Sequence, residues 1–320
     1  MDSAASPKLW KRAALLDRET LTRLSRRSAA RWLLAAGREW AVILGVMWVC
    51  NLWPNPLLWV VSIFFIGSRQ HGLGVLVHDA GHFLVSRSRR WNDGLANYLA
   101  AYPLFIPVQG YRTHHLEHHG LLETPIDPER LTIDAFPREF TFPMPARQLY
   151  WLMLRDLIGG SIQPMSRLID YVWAVRDKSW HVRRIAALHI AAASLALATG
   201  LIWTYLLLWV VPAFTSFTFF FRLRTAAEHS GIGRPHERYT RERVDPLATT
   251  RTMVSDPISS YIFSPYNIGY HTEHHLYPSV PGFRLRELRR ELLRTNEFAA
   301  RSHATRGIGG LIGELTSVEG

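Results

Sequence analysis

The sequence predicts an all-α integral membrane protein with about four transmembrane helices, interfacial helices beside them, and a cytoplasmic cap rich in histidine. Three observations lead there. Apolar residues make up 48% of the 320-residue chain, yet the mean hydropathy is only −0.02, because they are gathered into long blocks between charged stretches. The formal net charge is +11, from 37 Lys and Arg against 26 Asp and Glu, and the surplus sits at the flanks of the apolar blocks. Nine of the 15 histidines fall into three tight clusters beside those blocks. This composition excludes a disordered chain. A single cysteine, Cys50, excludes an intrachain disulfide and a thiolate metal cluster. The 12 tryptophans suit belts at a membrane interface. The charge is spread along membrane flanks with no interleaved aromatic and basic module, so the expected partner is a lipid bilayer and not a nucleic acid.

Residues 1–39 form a basic N-terminal arm carrying Lys8, Lys11, Arg12, Arg18, Arg23, Arg26, Arg27, Arg31 and Arg38. No short apolar core with a cleavage site follows, so the arm reads as a solvated or membrane-surface segment. A single domain follows over 40–300. Its first two spans, roughly 32–53 and 57–77, are joined at Trp53-Pro54-Asn55-Pro56, where two prolines dictate a turn. Each is close to the 20 or so residues that a hydrocarbon core requires. Arg69, Gln70 and His71 belong at the emerging end of the second span or facing the protein interior. Tyr98 to Val108 is too short to cross and is broken by Pro103 and Pro107, which suits an interfacial or re-entrant piece. Leu149 to Val175 mixes apolar residues with Arg155, Asp156, Arg167 and Asp170, as an amphipathic surface helix does. Ile185 to Phe221 holds the third and fourth spans, with a turn near Gly200. Basic flanks on one side put both termini and all three histidine clusters in the cytoplasm. Phe283, Leu285, Leu288 and Leu292 recur at helical spacing in a basic amphipathic helix that could rest on the membrane surface. The glycine-rich stretch 301–320 reads as a loose tail.

The chemistry lies in the clusters: His78 with His82, then His114, His115, His118 and His119, then His271, His274 and His275. Offsets of three and four share a helix face, so the imidazoles of one run could point to one place. Bunched histidines repel one another when protonated, whereas a metal uses their neutral form. Leaving out His114, which stands outside the i, i+3, i+4 pattern, eight nitrogen donors exceed what one four-coordinate site takes, which implies two metals. Imidazole alone leaves zinc, copper, iron and nickel open. His71, seven before His78 and so on the same helix face, reads as a polar helix-end residue, and His181, His189, His236 and His303 read as structural.

The order HDAGH, HHLEHH, HTEHH around paired spans resembles the integral-membrane fatty acid desaturases, which carry an H-x3-4-H, an H-x2-3-HH and an H/Q-x2-3-HH box. NIGYHTEHHLYPSVP and RLRTAAEHSG are similar to the corresponding segments of bacterial acyl-lipid or acyl-CoA desaturases. The resemblance covers roughly Gln70 to Leu288. It implies a non-haem di-iron centre (two iron ions, Fe2+/Fe3+) with O2 as co-substrate, and a separate ferredoxin, rubredoxin or cytochrome b5-type electron donor. It further implies insertion of a carbon–carbon double bond into a long acyl chain, in an integral membrane protein of the bacterial inner membrane. The ligands it implies are His78, His82, His115, His118, His119, His271, His274 and His275, with His229 as a ninth. Some members have a water-bridging asparagine four residues before that ninth histidine. Thr225 stands there in this chain, and Asn267, four before His271, is the candidate replacement. His114 lies one beyond the pattern, beside the metals but not on them. Asp79, Glu117, Glu228 and Glu273 either accept the free ring N–H of a ligand histidine or pair with Arg112, Arg222 or Arg224; direct ligation is the remaining option.

The same boxes serve lipid or hydrocarbon hydroxylation, ketolation and oxidative decarboxylation, and the substrate could be a carotenoid or a sphingolipid. A histidine-rich metal transporter or storage protein is the rival from another class. It would place its ligands inside the spans, whereas these clusters follow the spans on one side.

Overall fold

The computed structural model describes residues 15–160, 169–170, 172–230, 232 and 244–316. Helix α1 (Arg18–Leu24) precedes a helical hairpin of α2 (Ala29–Leu52) and α3 (Pro56–Gly81). The hairpin turn follows from its sequence: Pro56 starts α3, and the Asn55 side chain accepts from the N–H groups of Leu57 and Leu58. Then come α4 (Arg89–Ala96), α5 (Val108–Leu121), α6 (Pro128–Ala135), α7 (Ala146–Leu157) and α8 (Lys178–Ala198). A helical run from Ile202 to Phe214 bends at Thr215 into α9 (Ser216–His229). The elements after it that bear on the site are short: β1 (Arg251–Val254), α10 (His271–Leu276), α11 (Leu285–Leu292), β2 (His303–Arg306) and α12 (Gly307–Thr316). β1 and β2 pair in parallel, with Arg251 opposite His303.

Among the described residues, three helical stretches are long and apolar enough to cross a membrane, Ala29–Leu52, Pro56–Gly81 and Ile202–His229, where the sequence suggests four. The fourth candidate is α8. It turns back at Gly200 (φ 75°) as expected, but Lys178, Arg183 and Arg184 occupy its first turns and shorten its apolar part. The 26 residues of α3 measure about 39 Å at 1.5 Å per residue, against about 30 Å of hydrocarbon. Its last turns therefore project beyond the core, and they carry His78.

The spans pack closely. A Cβ on Gly67 would lie 2.1 Å from Ser216 Oγ and 2.7 Å from the Phe217 nitrogen, so only glycine lets α3 and α9 approach this far. Trp40 stacks on Trp209 at 5.0 Å and donates to the Leu99 carbonyl. Arg69, Gln70 and His71 face the interior. Arg69 pairs with Glu39 at 3.4 Å, both fully buried, and Gln70 donates to the Trp209 carbonyl. His71 is buried beside Phe220 and is not the helix-end residue that its position in the apolar run suggests. The piece from Tyr98 to Val108 forms a π turn and a 3-10 turn whose Ala100, Ala101, Tyr102 and Leu104 are buried. Of the amphipathic stretch 149–175, α7 buries Leu149 and Leu152 and exposes Tyr150, Trp151 and Leu154; residues 161–168 and 171 lie outside the described residues.

Two expectations about the ends change. Residues 1–14 lie outside the described residues, but α1 is no free arm: Leu24 is buried and Arg23 pairs with Glu287 and Glu291 of α11. The leucines of α11 pack on Leu24, Leu276, Tyr277 and Phe298 and not on a membrane. The stretch 301–320 is not loose as far as Thr316. β2 pairs with β1, and α12 buries Leu311 and Leu315 completely. Its glycines hide a short apolar stripe spaced by four.

Candidate metal centre

Each histidine cluster sits where a helix ends or begins on the same side of the spans. His78 lies in the last turn of α3 and His82 caps it. Helix α5 carries His115, His118 and His119, α9 ends on His229, and the six-residue α10 carries His271, His274 and His275. These nine form two groups, His78, His82, His115, His119 and His274, and His118, His229, His271 and His275; within each, one nitrogen from every ring lies within 4.8 Å of those of the others. All are buried except His82, which is partly so.

The three-histidine runs therefore do not converge on one point. Residues at i and i+4 share a group (His115 with His119, His271 with His275), and the i+3 residue turns to the other. The reason is helical: i+3 and i+4 fall on opposite sides of i, about 100° apart.

The donor set fits metal ions. In the five-histidine group, His78 Nε2 is 3.0 Å from His274 Nε2, which is 2.9 Å from His119 Nε2, itself 3.1 Å from His115 Nε2. In the four-histidine group, His229 Nε2 is 3.2 Å from His118 Nε2 and 2.8 Å from His271 Nε2. Neighbouring nitrogens around a metal at about 2.1 Å and right angles stand about 3.0 Å apart. The tautomers sharpen the point. His118 Nδ1 is 3.0 Å from both oxygens of Asp127, and His229 Nδ1 donates to the Thr249 carbonyl at 3.2 Å. Both partners accept only, so in each neutral ring Nδ1 carries the hydrogen and Nε2 presents a lone pair. With His118 neutral, as ligation requires, its Nε2 lone pair would face that of His229 at 3.2 Å, an arrangement that a cation between them satisfies. His275, buried, has no hydrogen-bond partner for either nitrogen among the described residues.

Electrostatics favour the neutral, ligating form. Burial, reinforced by neighbouring imidazoles, holds His115, His271, His274 and His275 well below the usual imidazole range. Burial and Arg112 bring His82 down to about 3. His118 differs: burial opposes its charge, but Glu129 and Asp127 outweigh it and raise its pKa to about 9.

Of the flanking residues, Glu228 pairs with Arg224 at 2.6 Å and lies 3.3 Å from His271 Nδ1. Glu273 is fully buried and takes its partner from elsewhere, Arg289 at 2.6 Å with Thr252 at 2.8 Å. Arg222 is engaged by Asp156 and Glu139, and Arg112 by Asp93. Asp79 accepts the Gly282 N–H at 3.3 Å and lies 3.6 Å from His78 Nδ1. Glu117 is exposed, outside the centre. Asn267 does not reach the histidine groups: its backbone is left-handed (φ 63°) and its amide donates to the Gly282 carbonyl at 2.9 Å, so it shapes the turn before α10. His114 is in neither group. It lines, with Thr225, a cavity of about 80 Å³ that also touches His115 and His271, one histidine from each group.

Sequence reasoning missed Asp127, Glu129 and Thr249. Glu129 sets a carboxylate oxygen 3.2 Å from His118 Nε2, and burial raises its pKa to about 7. The available signal was Asp127-Pro128-Glu129, a helix start bearing two carboxylates shortly after the second box. Of the remaining histidines, His181 meets Tyr102 OH at 2.9 Å, His189 meets Tyr205 OH at 2.8 Å, and His303 meets Glu314. His236 lies outside the described residues.

A family described as fatty acid desaturase matches residues 60–306. The chain is 26% identical to dihydrorhizobitoxine desaturase of Bradyrhizobium elkanii, over 76% of this chain and 70% of that protein. It is 25% identical to sn-1 oleoyl-lipid 12-desaturase of Anabaena variabilis, over 72% of this chain and 66% of that protein. It is 27% identical to sphingolipid delta(4)-desaturase/C4-monooxygenase of Homo sapiens, over 77% and 71% respectively.

Proposed function

Because the chain belongs to the fatty acid desaturase family, we propose that it is an O2-dependent di-iron desaturase of a long acyl chain. The protein is a membrane-associated oxidoreductase of the desaturase type. The observation that carries the finer reading is the gathering of nine histidines into two largely buried groups whose ring nitrogens stand close enough to share an ion. Bound there, two irons would supply O2 activation for the reaction R–CH2–CH2–R′ + O2 + 2 e− + 2 H+ → R–CH=CH–R′ + 2 H2O.

The ligands proposed are His78, His82, His115, His119 and His274 for one ion, and His118, His229, His271 and His275 for the other. Asp127 and Thr249 hold hydrogens on the Nδ1 atoms of His118 and His229 and so keep each Nε2 free to bind. Burial keeps bulk water from the centre. The cavity touching both groups takes the chain segment to be oxidised, and its apolar residues, among them Ile133, Phe140 and Phe221, favour methylenes at about 0.8 kcal/mol each. Two electrons come from a separate ferredoxin, rubredoxin or cytochrome b5-type protein. With α8 as a fourth crossing, the basic flanks favour a centre and both termini in the cytoplasm, at the inner membrane of a bacterium.

A second outcome on the same centre is hydroxylation, which the paired desaturase and monooxygenase name of the human relative favours. One experiment decides. The chain is expressed in a host lacking the activity, acyl lipids are profiled, and iron is measured in the purified protein. New unsaturated chains with two irons per chain support the proposal. Oxygenated products without a new double bond would replace it with hydroxylation, and protein without iron would end it.

A further inference from the structure

Helix α9 ends at His229, and a helix end leaves its last carbonyls without intrahelical donors. Here they are capped by Arg251, a fully buried residue of β1. Its Nη1 donates to the carbonyls of Ala226 at 3.2 Å and Ala227 at 2.9 Å, and its Nη2 to that of Ser230 at 2.8 Å. Nε and Nη2 both reach Glu314 Oε2 of α12, at 3.1 and 2.9 Å. All three guanidinium nitrogens are engaged, and the positive charge stands at the negative end of the helix. Glu314 is held in turn by Thr305 Oγ1 at 2.6 Å and His303 Nε2 at 2.9 Å, both on β2.

The same strand segment touches the centre twice more. Two residues before Arg251, the Thr249 carbonyl accepts from His229 Nδ1. One residue after it, Thr252 holds Glu273, inside the third histidine run. His229 is the sole member of the two groups carried by α9, and it belongs to the four-histidine group. The family match ends at residue 306, so Glu314 lies beyond it.

We infer that the Arg251–Glu314 pair is a positioning device for the four-histidine group: it clamps the end of α9 so that His229 stays aimed at His118 and His271, which makes the segment 303–316 a working part of the metal centre. The inference rests on the two-metal reading above. A pair that served general stability would affect both groups alike, whereas a clamp on α9 acts on the one group that α9 serves.

The test is an anaerobic titration of the full-length, chelator-stripped protein in detergent with ferrous iron. Wild type is compared with Glu314→Gln, which keeps an acceptor oxygen but removes the charge, and with Glu314→Asp, which keeps the charge. Arg294→Gln, on an exposed surface pair, is the control. Wild type is expected to bind two ions. Glu314→Gln is expected to weaken one of them by about 10–100-fold, as lost partners of metal ligands do, and to leave the other as in wild type. Glu314→Asp should recover part of that loss, and the helical circular dichroism of the metal-free protein should match the control. Unchanged binding of both ions in Glu314→Gln overturns the inference, and so does equal weakening of both. Wild-type protein that binds no iron would overturn the two-metal reading itself, a result visible before any variant is compared. Should Glu314→Gln fail to fold, Arg251→Lys, which keeps the charge but not the fork, is held to the same two outcomes.

Discussion

Replacing Asp127 by Asn isolates the hydrogen that fixes one ligand. Both Asp127 oxygens lie 3.0 Å from His118 Nδ1, and the same oxygens accept the backbone N–H groups of Glu123 and Glu129, each at 2.9 Å. An asparagine has one acceptor oxygen in place of two. One backbone N–H then loses its partner, which costs about 1 kcal/mol of stability. The larger effect falls on the ring. Without a carboxylate at Nδ1, His118 is free to move its hydrogen to Nε2, the atom that faces His229 and His271 across the group. Loss of such a partner lowers metal affinity about 10–100-fold, or about 1.4–2.8 kcal/mol. Calorimetric titration of stripped protein with ferrous iron should show that loss in one ion of two, while thermal unfolding of the metal-free protein changes by the smaller backbone cost. Two undisturbed binding steps would refute the tautomer argument. Loss of both steps together with a collapsed unfolding transition would show Asp127 to be a folding residue.

Three further substitutions probe the rest. His274→Ala removes the nitrogen that meets both His78 and His119, so turnover and one iron should vanish with helical circular dichroism unchanged; full iron and activity would refute the ligand assignment. Gly67→Ala forces a methyl against Ser216 and the Phe217 backbone and should cost about 1–3 kcal/mol, read as a lower unfolding temperature in detergent; an unchanged temperature would show that α3 and α9 can separate freely. Ile133→Trp fills the cavity wall between α6 and the histidine groups. It should reduce product formation on long chains with iron content intact, and wild-type product yield would place the substrate elsewhere.

Much of this architecture is legible in the sequence because its signals are local. The hairpin at Trp53 to Pro56 follows from two prolines and a capping asparagine. The candidate histidines stand out because they are bunched at helical offsets. What joins them is not local. Asp127, Thr249 and Arg289 reach the centre from segments outside every box, and no spacing rule connects Glu273 to a helix sixteen residues on. Asn267 invites a role near His271 by its offset, but that offset implies a helix, and the backbone there is left-handed. The last segment misleads through composition: its glycines suggest looseness, while Leu311 and Leu315 share one buried face.

The split of α5 and α10 between the two groups has a mechanical consequence. Each of these helices is gripped from both sides, so a rotation that drew His119 or His274 deeper into one group would pull His118, or His271 and His275, out of the other. Neither helix can yield to one group alone. The spacing between the two histidine groups is thereby inherited from the angular pitch of an α-helix and not from any flexible loop. A tether of that kind resists drift through repeated catalytic cycles, and it makes insertion of a single residue within either run more damaging than loss of one imidazole.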